Sequence, residues 1–206
     1  EVTGGMPVSM DSDRACCMLG ELWQGNARGC KDAIYIAVGT GIGAGVLSDG
    51  RILRGANDIA GSVGWLALDK PFQDKYIACG CFEYYASGDG IARLALEMLE
   101  THKDYSGPLK EHAGRLLTAH HVFEAYEKND PLARKVFEEC IQYWGMAVAN
   151  LISIFNPEKI IFGGGVFGPR LQFLKPIQDE ARKWAQPISM TLATFEPSGL
   201  HGDAAI

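Results

Sequence analysis

Three stretches of this chain hold residues whose types and spacing suit the handling of phosphate. The first is Gly39-Thr40-Gly41-Ile42-Gly43, three glycines at alternate positions with one hydroxyl. Glycine lets a ligand approach the main chain closely. Successive free N–H groups in such a turn form an anion-binding concavity, to which Thr40 adds a donor, and the natural ligand is a polyphosphate. The second is Asp13, in the first turn of a predicted helix, where backbone N–H groups and the helix dipole hold a carboxylate. A carboxylate so placed can accept a hydroxyl proton while the oxygen attacks a phosphoryl group. The third is Gly163-Gly164-Gly165, between a strand and a helix, where a flat ligand can lie against the main chain. Each also has a plainer reading: a tight hairpin, an ordinary first-turn acid, a strand-to-helix turn.

The elements that must position these residues follow from pattern. Ile34, Tyr35, Ile36 and Val38 predict a strand, and Ala44–Leu47 a second one, closed by a turn at Asp49-Gly50. The glycine loop therefore bends inside a β-hairpin. A Walker loop needs a lysine before a helix, and a dinucleotide fingerprint needs a helix after its glycines; neither is present. A helix over 11–26, capped by Asp11 or Ser12, carries Asp13. Short strands are expected at 8–10, 51–53 and 63–68, an irregular loop at 70–80, and helical segments at 82–87 and 90–100. The polar stretch 101–119 carries no clear pattern, and a short helix follows at 120–128. Asp130 and Pro131 open the longest helix, running to Phe155, with Leu132, Val136, Cys140, Trp144, Val148 and Leu151 at helical period. A buried strand at 159–162 leads into the second glycine cluster. A helix at 171–186, a strand at 188–195 and a helix starting at 202 complete the pattern. A hairpin followed by alternating helices and strands predicts an α/β domain with a mixed β-sheet flanked by helices.

Composition narrows the function classes. The 206 residues suit one domain, and 47% hydrophobic content suffices for a full core. A net charge of -6 with no basic cluster speaks against a nucleic-acid surface. No run is long and apolar enough to span a membrane, and no basic-then-apolar stretch opens the chain, so a cytoplasmic location is expected. The six cysteines, two of them adjacent, read as reduced thiols and not as a disulfide framework. The first residue is Glu1, and the last lies just past a predicted helix start. We expect an excised domain.

The order of Asp13, Gly39–Gly43, Asn156-Pro157 and Gly163–Gly165 resembles the ROK family (repressors, open reading frames, sugar kinases). So do Asp11–Glu21, Arg54-Gly55-Ala56-Asn57, Ala60–Trp65 and Cys81–Gly88. The resemblance implies an actin-like ATPase (ribonuclease H-like) domain, with residues 1–206 the large C-terminal lobe of a two-lobed kinase whose small N-terminal lobe is absent. It implies ATP as phosphoryl donor, a sugar or sugar derivative as acceptor, and magnesium held mainly by the absent lobe. Asp13 matches the catalytic base. Gly39, Thr40, Gly41 and Gly43 match a phosphate loop, and Gly163, Gly164 and Gly165 the adenosine-side glycines. Glu83 matches a carboxylate that grips sugar hydroxyls, with Ser12, Ser62 and Trp65 alongside it in the substrate pocket. A homodimer is also implied.

The departures bear on the acceptor. Ser12 stands where the family usually has Asn, and Ser62 and Trp65 where it has Glu and His. Only Cys81 aligns with a ligand of the family's zinc site, so zinc is not expected at Cys79-Gly80-Cys81, which alone falls short of the four ligands of a structural site. The paired His120-His121 reads as solvated helix surface. Trp65 offers a face for a sugar ring, although filling the space of the lost metal site is the reading we favour. Losing hydroxyl partners from a pocket changes discrimination strongly, so glucose is a poor expectation. Two functions lead: an ATP-dependent carbohydrate kinase, or a non-catalytic sugar- or nucleotide-responsive member of the repressor branch; an actin- or chaperone-like ATPase is a weaker third, because Cys81–Gly88 and Arg54–Asn57 resemble sugar-kinase segments.

Overall fold

A computed structural model describes residues 11–112, 117–168 and 171–200. The strand expected at 8–10 and the helix expected from 202 lie outside the described residues. The strands are β1 (Ala33–Val38), β2 (Ile42–Ser48), β3 (Arg51–Ile52), β4 (Lys159–Gly163) and β5 (Thr194–Pro197). The helices are α1 (Asp13–Trp23), α2 (Cys81–Ala86), α3 (Gly88–Thr101), α4 (Leu109–His112), α5 (Ala119–Glu127), α6 (Pro131–Phe155), α7 (Leu174–Arg182) and α8 (Pro187–Leu192).

One sheet runs in the order β3-β2-β1-β4-β5. β1 pairs antiparallel with β2, Val38 opposite Ile42, and parallel with β4, Ile36 opposite Phe162. The sheet is therefore mixed. Strand residues alternate between two cores. Ile34, Ile36, Val38, Ile42, Ala44, Val46, Ile160 and Phe162 face the larger one, shared with α2, α3, α5, α6 and α7. Tyr35, Leu47 and Ile161 face a smaller one beneath α1. Burial on both faces explains why β1 reads as one continuous apolar run. The result is the α/β, actin-like ATPase architecture expected.

Ser12, not Asp11, caps α1, its hydroxyl accepting from the Ala15 N–H at 3.2 Å. Asp130 caps α6 as expected, accepting from the Leu132 and Ala133 amides at 2.9 Å each. Ser87 ends α2 and caps α3 through the Gly90 amide at 2.9 Å, which is the break expected near Gly88. The fully buried Glu21 ties α1 to the end of β5: its carboxylate accepts from Asn26 N at 2.7 Å, Ser198 Oγ at 2.5 Å and Gly199 N at 3.2 Å.

Two expected strands form differently. Residues 63–68 make one 3-10 turn, Val63–Trp65. Gly61, at φ +87°, accepts from the Ala44 amide at 2.7 Å, and the chain turns away from the sheet edge after that single bond. Residues 188–192 are helical, because Pro187 pre-sets the first turn and the Gln186 side chain accepts from the Ser189 amide at 2.8 Å. The strand is confined to Thr194–Pro197. The helix expected over 171–186 is a 3-10 turn, Leu171–Phe173, followed by α7.

Candidate active site

The loop joining β1 to β2 organises the site. Gly39 N donates to the Gly41 carbonyl at 2.9 Å, closing the turn. Gly39 O accepts from Gly88 N at 2.7 Å, so the loop is docked on the N-terminus of α3, an end that favours anions. The turn after β4 hooks over the end of β1, with Val166 N donating to Val38 O at 3.0 Å. Both glycine clusters are thereby brought to one rim of the sheet. Between them, α3 and α5 lies a cleft of about 620 Å³ lined by Gly39, Thr40, Gly88, Arg93, His120 and Gly165, among others.

The glycines divide by what surrounds them. A methyl group at Gly41 would lie 2.8 Å from a Glu83 carboxylate oxygen, and one at Gly43 would strike the Arg14 stem. Substituents at Gly163 and Gly164 would strike the Tyr35 ring and the Val38 carbonyl. These four satisfy packing. Gly39 and Gly165 meet nothing within 4 Å, and both line the cleft. Their lack of a side chain leaves bare main chain facing open space, which is what a ligand lying against the backbone requires.

At its other end the same loop meets α1. The Arg14 stem lies over Gly43, and the Arg14 carbonyl and Met18 Cβ lie over Gly45, so bare backbone in β2 lets the first turn of α1 approach closely. Asp13 is exposed in that turn, at the loop end of the hairpin, with Oδ1 accepting from the Arg14 amide at 2.8 Å. Arg14 Nη1 donates to Ser62 Oγ at 2.9 Å, and Ser62 Oγ donates to the Ile59 carbonyl at 2.8 Å. Nearby, Arg54 bonds Asp11 and holds its carboxyl below the usual range.

Glu83 reaches the loop from α2. Its Oε2 accepts from the Ile42 amide at 2.6 Å, and its side chain packs where Gly64 leaves room. One carboxylate oxygen is therefore engaged in bracing the loop. Trp65 differs from the expectation of a space-filling core residue: it is 58% exposed. A substituent at Gly80 would lie 2.5 Å from the Trp65 Cα, so this glycine lets the start of α2 pack closely against the turn that carries Trp65. Behind α2, Tyr76 bonds Tyr85 at 3.0 Å and Asp69 at 2.9 Å, and burial with these bonds pushes the Tyr76 hydroxyl up. Cys81 is buried and Cys79 half-buried, with its Sγ 3.8 Å from the Gly80 carbonyl. Among the described residues, no three metal-ligating side chains gather.

The structure thus sets the turn that carries Ser12, Asp13 and Arg14 against the loop at Gly43 through Arg14, which also bonds Ser62, and sets Glu83 against the same loop at Ile42, while Gly39, Thr40 and Gly165 line the cleft. Gly163 and Gly164 support that lining from within the fold. Sequence reasoning missed Arg14, whose signal was its place beside Asp13, and the cleft wall formed by Gly88, Arg93 and His120. His121 is not simply solvated: its Nδ1 accepts from the Thr118 amide at 3.2 Å at the start of α5, and its ring stacks on His112 at 4.0 Å.

The ROK family model matches residues 1–205. A glucokinase of Halalkalibacterium halodurans is 37% identical over 204 residues, which are 98% of this chain and 62% of the relative. The chain thus spans less than two thirds of that protein. A ROK family glucokinase from Streptomyces griseus, solved with glucose and AMPPNP, superposes with a TM-score of 0.81 at 28% identity, covering all of this chain and 67% of that one. A ROK family transcriptional regulator superposes with a TM-score of 0.84 at 26% identity, over 98% of this chain and 50% of the regulator. The family match over nearly every residue, on a fold with both glycine clusters at one rim, shows that the chain belongs to the ROK family.

Proposed function

We propose that this chain is the large lobe of an ATP-dependent carbohydrate kinase that phosphorylates a hydroxyl of a sugar or sugar derivative. One observation carries the reading. The five-residue loop 39–43 borders the open cleft at Gly39 and Thr40 and meets the first turn of α1 at Gly43. A donor site and an acceptor site thus share one short loop.

In this reading the bare main chain at Gly39 and Gly165 admits the nucleotide, with the Thr40 hydroxyl and the Thr40 and Gly41 amides donating to its phosphates, the Gly39 and Ile42 amides being engaged within the protein. ATP would supply the phosphoryl group, and a magnesium ion would neutralise charge on its phosphates; among the described residues of this chain no three metal-ligating side chains gather to hold it, so its protein ligands would come from the companion lobe. Asp13 accepts the proton of the acceptor hydroxyl as that oxygen bonds to the γ-phosphorus and the bond to ADP breaks. Glu83 fixes the loop through Ile42 and turns its second oxygen to the acceptor, Ser12 offers it a hydroxyl donor, and Ser62, whose O–H is spent on Ile59, offers it only a remaining lone pair. The exposed Trp65 provides an apolar face for the ring. The similarity to glucokinases supports the activity class, and we place the protein in the cytoplasm as a homodimer.

Asp13→Asn in the intact protein tests this. Turnover should fall by about 10² to 10⁴, with the ATP dissociation constant within threefold. Unchanged phosphoryl transfer would remove Asp13 as the base. A second reading, a non-catalytic regulator, is favoured by Ser62 and Trp65 and by the similarity to a transcriptional regulator. It predicts no ADP release with any sugar and a DNA-binding segment elsewhere in the protein.

A further inference from the structure

Arg14 is a charge that the kinase reading does not use. It follows Asp13 in the first turn of α1 and is half-buried. Its stem lies across Gly43, a path that any side chain at that position would block. Its guanidinium is steered by the 2.9 Å bond to Ser62. Ser62 is itself anchored to the Ile59 carbonyl, and the adjoining Gly61 is hydrogen-bonded to Ala44 in the sheet. The group is therefore held in place, beside the carboxylate proposed to take the acceptor's proton.

Among the described residues its donors are largely unspent. A guanidinium carries five N–H groups, and the Ser62 bond uses one. Among the described residues Arg14 enters no ion pair; the five ion pairs involve other cations. The Asp13 carboxylate accepts from the Arg14 main-chain amide at 2.8 Å and forms no ion pair with the guanidinium. A positioned arginine with no ion-pair partner among the described residues presents a planar fork that matches a carboxylate or phosphate group of a ligand. Ser62 is neutral and its one O–H is spent on the Ile59 carbonyl, so it positions the guanidinium without competing for its charge.

We propose that Arg14, held in place by Ser62, forms an anion subsite in the acceptor pocket, and that the acceptor is a sugar bearing a carboxylate or phosphate group. The proposal rests on the kinase reading for the word acceptor, but not for the subsite. Successive residues of a helix point about 100° apart, so Asp13 and Arg14 address different parts of one ligand: the reacting hydroxyl and the anionic substituent. The arginine also offsets the repulsion that Asp13 and Glu83 would exert on an anionic sugar.

Calorimetric titration of the intact protein, without nucleotide, with glucose, glucuronate and glucose 1-phosphate tests the subsite. At least one anionic sugar should bind tenfold or more tightly than glucose, and which one does so identifies the group. Arg14→Ala should remove at least tenfold of that advantage, and Arg14→Lys should restore part of it. Glucose binding as tightly as both anionic sugars would overturn the proposal. So would an Arg14→Ala protein that weakens all three ligands equally, since a merely structural arginine, or one serving the transferred phosphoryl group, predicts no charge preference. ADP release measured in parallel separates the two readings. Arginine-dependent binding without turnover keeps the subsite and defeats the kinase. Turnover of glucose with no charge preference keeps the kinase and defeats the subsite.

Discussion

At the scale of single residues, the two kinds of glycine predict opposite behaviour. Gly39 and Gly165 have room for a methyl group and no left-handed backbone. Gly165→Ala should therefore leave stability unchanged or raise it by about 0.4–1 kcal/mol, while ATP binding weakens at least tenfold. Gly164 has φ +85° and would strike the Val38 carbonyl. Gly164→Ala should cost roughly 1–3 kcal/mol of stability before any effect on ligand. Thermal melts and ATP titrations on the two variants check this, and equal destabilisation of both would show that Gly165 is a packing glycine too. The sequence marks all three glycines of this cluster alike. What separates them is their neighbours, and Tyr35 and Val38 lie more than a hundred residues earlier in the chain.

At the scale of elements, capping and periodicity were legible, because they rest on residues close in sequence. Asp130, Pro131 and the apolar stripe from Leu132 predicted α6 to its last residue. The expected strands at 63–68 and 188–195 were not legible. Their residues suit a sheet, but a strand also needs a free neighbouring edge, and position 61 and Pro187 divert the chain first. α6 is also tied to the α3–α4 connection by Tyr105, whose hydroxyl donates to Asp130 Oδ2 at 2.8 Å. Burial and this bond push the Tyr105 hydroxyl up to about 12. The protonated form is favoured in the folded state, so its contribution is complete below the ordinary tyrosine value near 10 and is lost as pH rises toward 12. Denaturant titrations across that window should show falling stability, with a shallower slope for Tyr105→Phe.

At the scale of the molecule, the larger core supports the site from behind. Trp144 in α6, 1% exposed, donates its indole N–H to the Ala86 carbonyl at 2.9 Å, and Cys140 Sγ lies 3.6 Å from the Tyr85 carbonyl. These contacts seat α2, which carries Glu83 to the glycine loop. Trp144→Phe leaves the Ala86 carbonyl unpaired, and denaturation should register a loss of about 1–3 kcal/mol. By itself the amino-acid sequence determined what depends on local chemistry: the α/β class, the hairpin around the glycine loop, the helix caps and the residue types suited to phosphate. Only the tertiary structure decided which glycines open onto the cleft, that Glu83 braces Ile42, that Trp65 is exposed and that Arg14 reaches Ser62. The physical reason is separation along the chain. The Glu83–Ile42 and Arg14–Ser62 bonds join residues 41 and 48 positions apart, and no local pattern encodes a partner that only the packing of α1 and α2 against the sheet brings within reach.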